Sequence, residues 1–101
     1  ITQVLIEAYP DRLINIHPSL LPSFPGIHAI EQALAAGVKI TGCTVHLVSL
    51  EVDRGPILVQ AAVPVLPDDT AATLHARVQI QEHKILPQAI DSIARKVGLR
   101  S

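Results

Sequence analysis

The sequence contains no methionine and no tryptophan, and it has one cysteine, one tyrosine and one phenylalanine. A single thiol, Cys43, cannot form an internal disulfide, so a reducing compartment, the cytoplasm, is expected. With Tyr9 and Phe24 as the aromatics, there is no stacking platform for single-stranded nucleic acid. Eight Lys and Arg stand against nine Asp and Glu, a net charge of -1 with His neutral, and the cations are spread out. This balance argues against both a nucleic-acid surface and a basic membrane patch. No apolar run is long enough to span a bilayer, and the first residues do not read as a signal peptide. The five glycines are scattered, so no phosphate-cradling loop is present. What remains is 101 residues, 49% hydrophobic and 17% charged, which suits one domain or a piece of one with a buried core.

Ile1, Val4, Leu5 and Ala8 fall at i, i+3, i+4 and i+7, a stripe that predicts an opening helix ending near Tyr9-Pro10-Asp11. Nothing resembling a cap precedes it, and the chain is expected to be a piece of something longer. Leu13 to Ile16 reads as a short apolar strand of the kind buried in a parallel sheet. Three prolines between Pro18 and Pro25 mark a loop. A helix is predicted from about His28 to Ala36, with Ile27, Ile30, Ala33 and Leu34 as its apolar face and Gly37 as its stop. Ile40 to Val48 and Ile57 to Val65 are predicted strands that could pair antiparallel, with turn chemistry at Asp53-Arg54-Gly55-Pro56 between them. Asp68 and Asp69 offer N-cap carboxylates to a long helix from Thr70, which Pro87 is expected to kink or interrupt. The order of elements fits an α/β layer.

Three groups of residues could carry chemistry. Asn15 and His17 are two apart in an extended segment, so they share one face while Ile14 and Ile16 take the other. Pro18 keeps His17 extended. In open α/β sheets, sites lie beyond the carboxyl ends of strands, where this pair sits; an ordinary strand end with a solvated histidine would look the same. His46 shares a face with Thr44 and Val48, and Asp53 follows in the turn, where it could equally be a turn-former. Glu82 falls on the helical stripe of Leu74, Val78 and Ile85, where a carboxylate is costly unless paired or able to reach water. Gln79 lies one turn before it.

A metal site built from His17, His46 and Asp53 has no supporting ligand spacing. Strand alternation sends Cys43 and His46 to opposite faces, leaving Cys43 as an inert core thiol rather than a nucleophile. Ser19 lacks a nucleophile elbow.

Together these segments carry a resemblance. The stretch Asn15-Ile16-His17-Pro18-Ser19-Leu20-Leu21-Pro22-Ser23-Phe24-Pro25-Gly26 resembles the signature of the folate-dependent glycinamide ribonucleotide (GAR) formyltransferases. So do Gly42-Cys43-Thr44-Val45-His46, Asp53-Arg54-Gly55-Pro56-Ile57-Leu58 and Gln79-Ile80-Gln81-Glu82-His83, in family order across nearly the whole chain. Formyltetrahydrofolate hydrolases are similar but usually carry a second His where this chain has Pro18. Methionyl-tRNA formyltransferases typically have Arg where this chain has Pro25.

The resemblance implies an α/β fold in which residues 1–101 are the C-terminal part of a formyltransferase catalytic domain, a Rossmann-like open sheet flanked by helices. It implies formyl transfer from the co-substrate 10-formyltetrahydrofolate to the amine of GAR, with no metal. Asn15 would be a neutral hydrogen-bond donor and His17 an imidazolium, with Asp53 beside it and His46 ordering the group. Folate would be lined by Ile1, Leu13, Asn15, Val48, Ser49, Leu50, Glu51, Val52 and Asp53. GAR would be held by Pro18, Gly26, Gln79 and Glu82, with Glu82 near the ribose hydroxyls. The family's phosphate-binding loop and first parallel strands have no counterpart here. Strand 13–16 is therefore expected to expose an edge that invites self-association, and these 101 residues alone are expected to show little catalysis. A folate-binding or purely structural remnant is the non-enzymatic alternative.

Overall fold

The computed structural model describes residues 4–9, 12–48 and 56–96. Its elements run β1 (Val4–Tyr9), β2 (Arg12–His17), α1 (Ala29–Ala36), β3 (Ile40–Leu47), β4 (Ile57–Pro64) and α2 (Ala71–Lys96). The four strands form one sheet in sequence order, β1-β2-β3-β4, and every neighbour is antiparallel. The architecture is α/β, with α2 laid over β2, β3 and β4 and α1 packed against α2.

Three expectations are corrected at the start of the chain. The predicted opening helix is strand β1, paired with β2 from Val4 opposite Ile16 to Tyr9 opposite Arg12. The segment is rich in β-formers (Val4, Ile6, Tyr9), and its partner strand carries backbone groups that must be paired. A tertiary ladder outweighs a four-residue helical stripe. The edge expected to lie open on β2 is therefore covered by β1. The strand is also antiparallel to both neighbours, where a parallel setting was expected.

The predicted β3–β4 pair is present, running from Ile40 opposite Pro64 to His46 opposite Ile57, with a register shift between Val45 and His46. Gly42 is required in this ladder: a Cβ there would run into the Ala61 carbonyl oxygen and the side chain of Leu20. Helix α1 ends as predicted at Gly37, whose φ of 73° lets its N–H reach the Leu34 carbonyl at 3.1 Å. Ile30 and Ala33 are buried on its inner face, but Ile27 is 65% exposed. It precedes His28, which has φ 59° and turns the chain before the helix begins, so Ile27 is out of phase with the apolar stripe.

Helix α2 runs unbroken from Ala71 to Lys96 through Pro87, contrary to the expected interruption. Pro87 is exposed, while Ile85, Ala89 and Ile93 on the inner side pack into the core across the same stretch. Burial on both sides of the missing N–H keeps the helix continuous. The start of the helix also differs from expectation. Thr70 supplies the cap, its Oγ1 accepting from the Thr73 N–H at 3.2 Å. The Asp69 carboxylate instead accepts from the Leu66 N–H at 2.7 Å and takes a two-pronged contact from Arg77, Nη1 at 2.7 Å and Nη2 at 3.0 Å. That hydrogen bonding with Arg77 holds the Asp69 carboxyl well below the usual carboxylate range. The corner between β4 and α2 is thus fastened by a charge-assisted fork.

The core lies between the sheet and the helices: Ile14, Cys43, Val45 and Val63 from the strands meet Leu74, Val78, Ile85, Ala89 and Ile93 of α2, with Ile30 of α1. Ile14 and Ile16 fill it, as their alternation with Asn15 and His17 predicts.

Candidate functional site

The other face of β2 is polar, and it is buried as thoroughly as the core. Register places Asn15 directly opposite His46, and His17 opposite Thr44, which in turn faces Gln60 on β4. Paired residues project to the same face, so two cross-strand rows form: Asn15–His46–Ile57 and His17–Thr44–Gln60. Asn15, His17 and Thr44 are at most 2% exposed and His46 is 8% exposed.

The loop of residues 18–28 closes over the second row. The Thr44 hydroxyl donates to the Ser19 carbonyl at 2.7 Å, and the Ser19 hydroxyl donates to the Ser23 carbonyl at 2.5 Å. His17 Nε2 lies 2.9 Å from the Phe24 carbonyl oxygen. Phe24 is held at φ 51°, an uncommon conformation for a residue with a side chain. His46 Nδ1 is 3.3 Å from its neighbouring Leu47 carbonyl.

Two polar atoms on this face have no partner among the described residues: Asn15 Oδ1 and His17 Nδ1. Buried polar atoms are nearly always paired, and an unpaired amide beside an unpaired imidazole nitrogen can receive a polar ligand. Leu13 and Val48 meet at the end of the sheet, with the Val48 N–H donating to the Leu13 carbonyl at 2.8 Å. The predicted site residues Ile1, Ser49, Leu50, Glu51, Val52 and Asp53 lie outside the described residues.

A second region opens on the helical side of β2. A cleft of about 800 Å³ between α1 and α2 is lined by Ile16, Pro18, Gln79 and Glu82, together with His75 and His83. Three of the four residues expected to hold GAR thus share one cleft. The fourth, Gly26, is exposed in the loop at φ 84° and does not line it. Glu82 is half-buried, and desolvation pushes its carboxyl upward, opposed by the charges of His75 and His83. Its charge also reaches Cys43. That thiol is pushed up to about 11, first by burial and second by Glu82, with a backbone hydrogen bond from Ala61 acting against both. Cys43 is the inert core thiol that alternation predicts.

Asn15, His17 and His46 are therefore brought together, while Pro18, Gln79 and Glu82 gather on the opposite side of β2. Sequence reasoning missed Gln60, the backbone carbonyl of Phe24 and the histidines of the cleft. It treated Ser19 only as a rejected nucleophile, whereas Ser19 is part of the loop closure. The run of prolines and serines after His17 carried a usable signal, since Ser side chains in a turn commonly bond to nearby backbone. Among the described residues, no group of three His, Cys, Asp or Glu is arranged to hold a metal ion. No helix of the described residues is long and apolar enough to cross a membrane.

The chain is similar to known proteins over most of its length. The family model described as formyl transferase matches residues 1–90. The human trifunctional purine biosynthetic protein adenosine-3 is 54% identical over 89 residues, covering 88% of this chain and 9% of that protein. The phosphoribosylglycinamide formyltransferase of Mycobacterium tuberculosis is 52% identical over 89 residues, covering 88% of this chain and 41% of that protein. The crystal structure of phosphoribosylglycinamide formyltransferase from Anaplasma phagocytophilum superposes with a TM-score of 0.76 at 58% identity, covering 82% of this chain and 41% of that one. The chain thus spans less than half the length of these relatives. A family model that accounts for nine-tenths of the sequence, on a fold shared with a solved member, means that the chain belongs to the formyl transferase family.

Proposed function

We propose that these residues carry the chemical centre of a phosphoribosylglycinamide formyltransferase, which moves the formyl group of 10-formyltetrahydrofolate to the amine of GAR in purine biosynthesis. The observation that carries the reading is the pair of unpartnered buried atoms, Asn15 Oδ1 and His17 Nδ1, on one sheet face. Identity of 52% to the Mycobacterium tuberculosis protein of that name, and of 54% to a segment of the human trifunctional purine biosynthetic protein, supports it. In the reaction the amine nitrogen attacks the formyl carbon and the carbonyl electron pair moves onto oxygen. Collapse of the tetrahedral intermediate breaks the bond to N10, which takes up a proton as tetrahydrofolate leaves. The attacking nitrogen loses a proton through water.

Negative charge on the formyl oxygen is stabilised by the Nδ2–H of the Asn15 amide, whose Oδ1 accepts from the amine, and by Nδ1–H of His17 as imidazolium, preorganised in a site that needs no solvent reorganisation. His46, across the ladder from Asn15, orders the amide, and Asp53 favours the charged imidazole. Leu13, Asn15 and residues 48–53 line the folate, and Ile1 touches its edge. Pro18, Gln79 and Glu82 of the cleft, with Gly26, hold GAR, and a half-buried carboxylate is a suitable acceptor for ribose hydroxyls. No metal is required by this chemistry. The same reading makes residues 1–101 part of a larger catalytic domain with a Rossmann-like sheet, working in the cytoplasm on small molecules.

The test measures GAR-dependent loss of formyl from a 10-formyl folate. It uses the 101-residue chain and a chimera in which the chain replaces the matched segment of the Mycobacterium tuberculosis enzyme. Transfer that requires both GAR and His17 supports the proposal. Deformylation without GAR moves the assignment to a hydrolase. Folate binding with no transfer by the chimera leaves a binding remnant.

A further inference from the structure

The hydrogen bonds that close the loop over the polar face converge on two side chains. Thr44 Oγ1 spends its one hydrogen on the Ser19 carbonyl and accepts from the Leu21 N–H at 3.1 Å. Gln60 Nε2 donates to the Leu21 carbonyl at 3.0 Å and to Thr44 Oγ1 at 3.1 Å. Gln60 thus fastens the outer end of the loop to the middle strand, although it is itself exposed and takes no part in the core.

At the inner end, the Phe24 carbonyl receives His17 Nε2 at 2.9 Å and the Ser19 hydroxyl at 3.3 Å. A carbonyl oxygen can only accept, so Nε2 carries the hydrogen and Nδ1 is the nitrogen left free. That nitrogen is buried and unpartnered. The ring's orientation therefore depends on where the loop holds one backbone carbonyl.

We infer that Gln60 is a positioning residue for His17: by clasping Leu21 and Thr44 it holds the loop so that the Phe24 carbonyl fixes Nε2–H and aims Nδ1 into the site. The kinetic consequence rests on the proposed role of His17; the orienting role does not.

The experiment follows the His17 Nε2–H proton by nitrogen-edited NMR of the histidine-labelled 101-residue chain, with the resonance assigned by its loss in His17→Gln. The wild-type proton is expected to be protected from exchange. In Gln60→Ala and in the isosteric Gln60→Glu, which lacks the donor, it exchanges at least about tenfold faster, while the backbone amides of residues 43–45 keep their wild-type rates. Gln60→Lys, which restores a donor, recovers protection. In the chimera, Gln60→Glu lowers kcat about tenfold and leaves KM for both substrates within about twofold, because orientation rather than binding is lost.

Unchanged Nε2–H exchange in both Gln60 variants overturns the inference. So does acceleration of the β3 amides in parallel, which would make Gln60 a purely structural residue. If the wild-type chimera is inactive while the Nε2–H exchange still responds to Gln60, the proposed reaction fails and the positioning role stands.

Discussion

The two faces of β2 are equally dry but are kept so by opposite means. On one face, Ile14 and Ile16 pack against helices and make no directional demand. On the other, Asn15 and His17 sit under a loop held by hydrogen bonds to Thr44 and Gln60, with one atom of each left unpaired. The first face contributes stability through apolar area, roughly 25 cal/mol per Å². The second costs stability wherever a buried polar atom lacks a partner, and keeps that cost in exchange for a site that can hold a ligand. Burial by itself does not mark a core: Asn15 and His17 are as buried as Ile14 and Ile16.

The sharpest way to separate the faces is to truncate each in turn. Ile14→Ala is expected to destabilise the fold by about 4 kcal/mol while leaving turnover per folded molecule of the chimera unchanged, measured by denaturant melts beside active-site-normalised rates. His17→Ala is expected to do the reverse, lowering turnover about a hundredfold to a thousandfold with a smaller effect on the melt. If His17→Ala cost only stability, the polar face would be no more than a second core.

Glu82 tests the cleft against the same contrast. Its carboxyl is raised in the folded state. The stabilisation from holding the proton is therefore complete below the unfolded value of about 4.3 and is lost as pH rises through the folded value. Glu82→Gln is permanently uncharged, so it should gain stability relative to wild type between acid and neutral pH. In the chimera its apparent affinity for GAR should weaken by about tenfold. A variant with unchanged GAR affinity would remove Glu82 from the substrate.

The smallest effect concerns Cys43. Raised to about 11 from 9.0, the folded thiol resists ionisation. Its contribution to stability is present below pH 9.0 and declines as pH climbs toward about 11. Thiol-reactive dye should fail to label the native chain at pH 8 and label it fully in denaturant. Rapid native labelling would contradict its place in the core.

Much of this contrast can be read directly from alternation. The sharing of one face by Asn15 and His17, the opposite sense of Cys43 and His46, and the Gly37 stop each follow from backbone periodicity. What periodicity could not supply is the choice between competing partners. Four apolar residues at helical spacing from Ile1 to Ala8 do not reveal that a neighbouring strand needs its edge filled. Asp68 and Asp69 look alike as caps, and only the folded position of Arg77, eight residues beyond Asp69, draws Asp69 away to a fork. The loop closure was illegible because it depends on backbone carbonyls of Leu21 and Phe24, which carry no side-chain signature. Residues 49–55, which include the expected Asp53, lie outside the described residues, so their part in the site rests on the resemblance.

Strict alternation along β2 also bears on how such a chain can vary. Inserting one residue directly after Leu13, with the preceding register kept, would turn Asn15 and His17 toward α2 and expose Ile14 and Ile16 to the loop. Packing and chemistry would fail together, so no half-working intermediate separates the two registers. A one-residue change of length is therefore expected to be tolerated in the connections and not within β2.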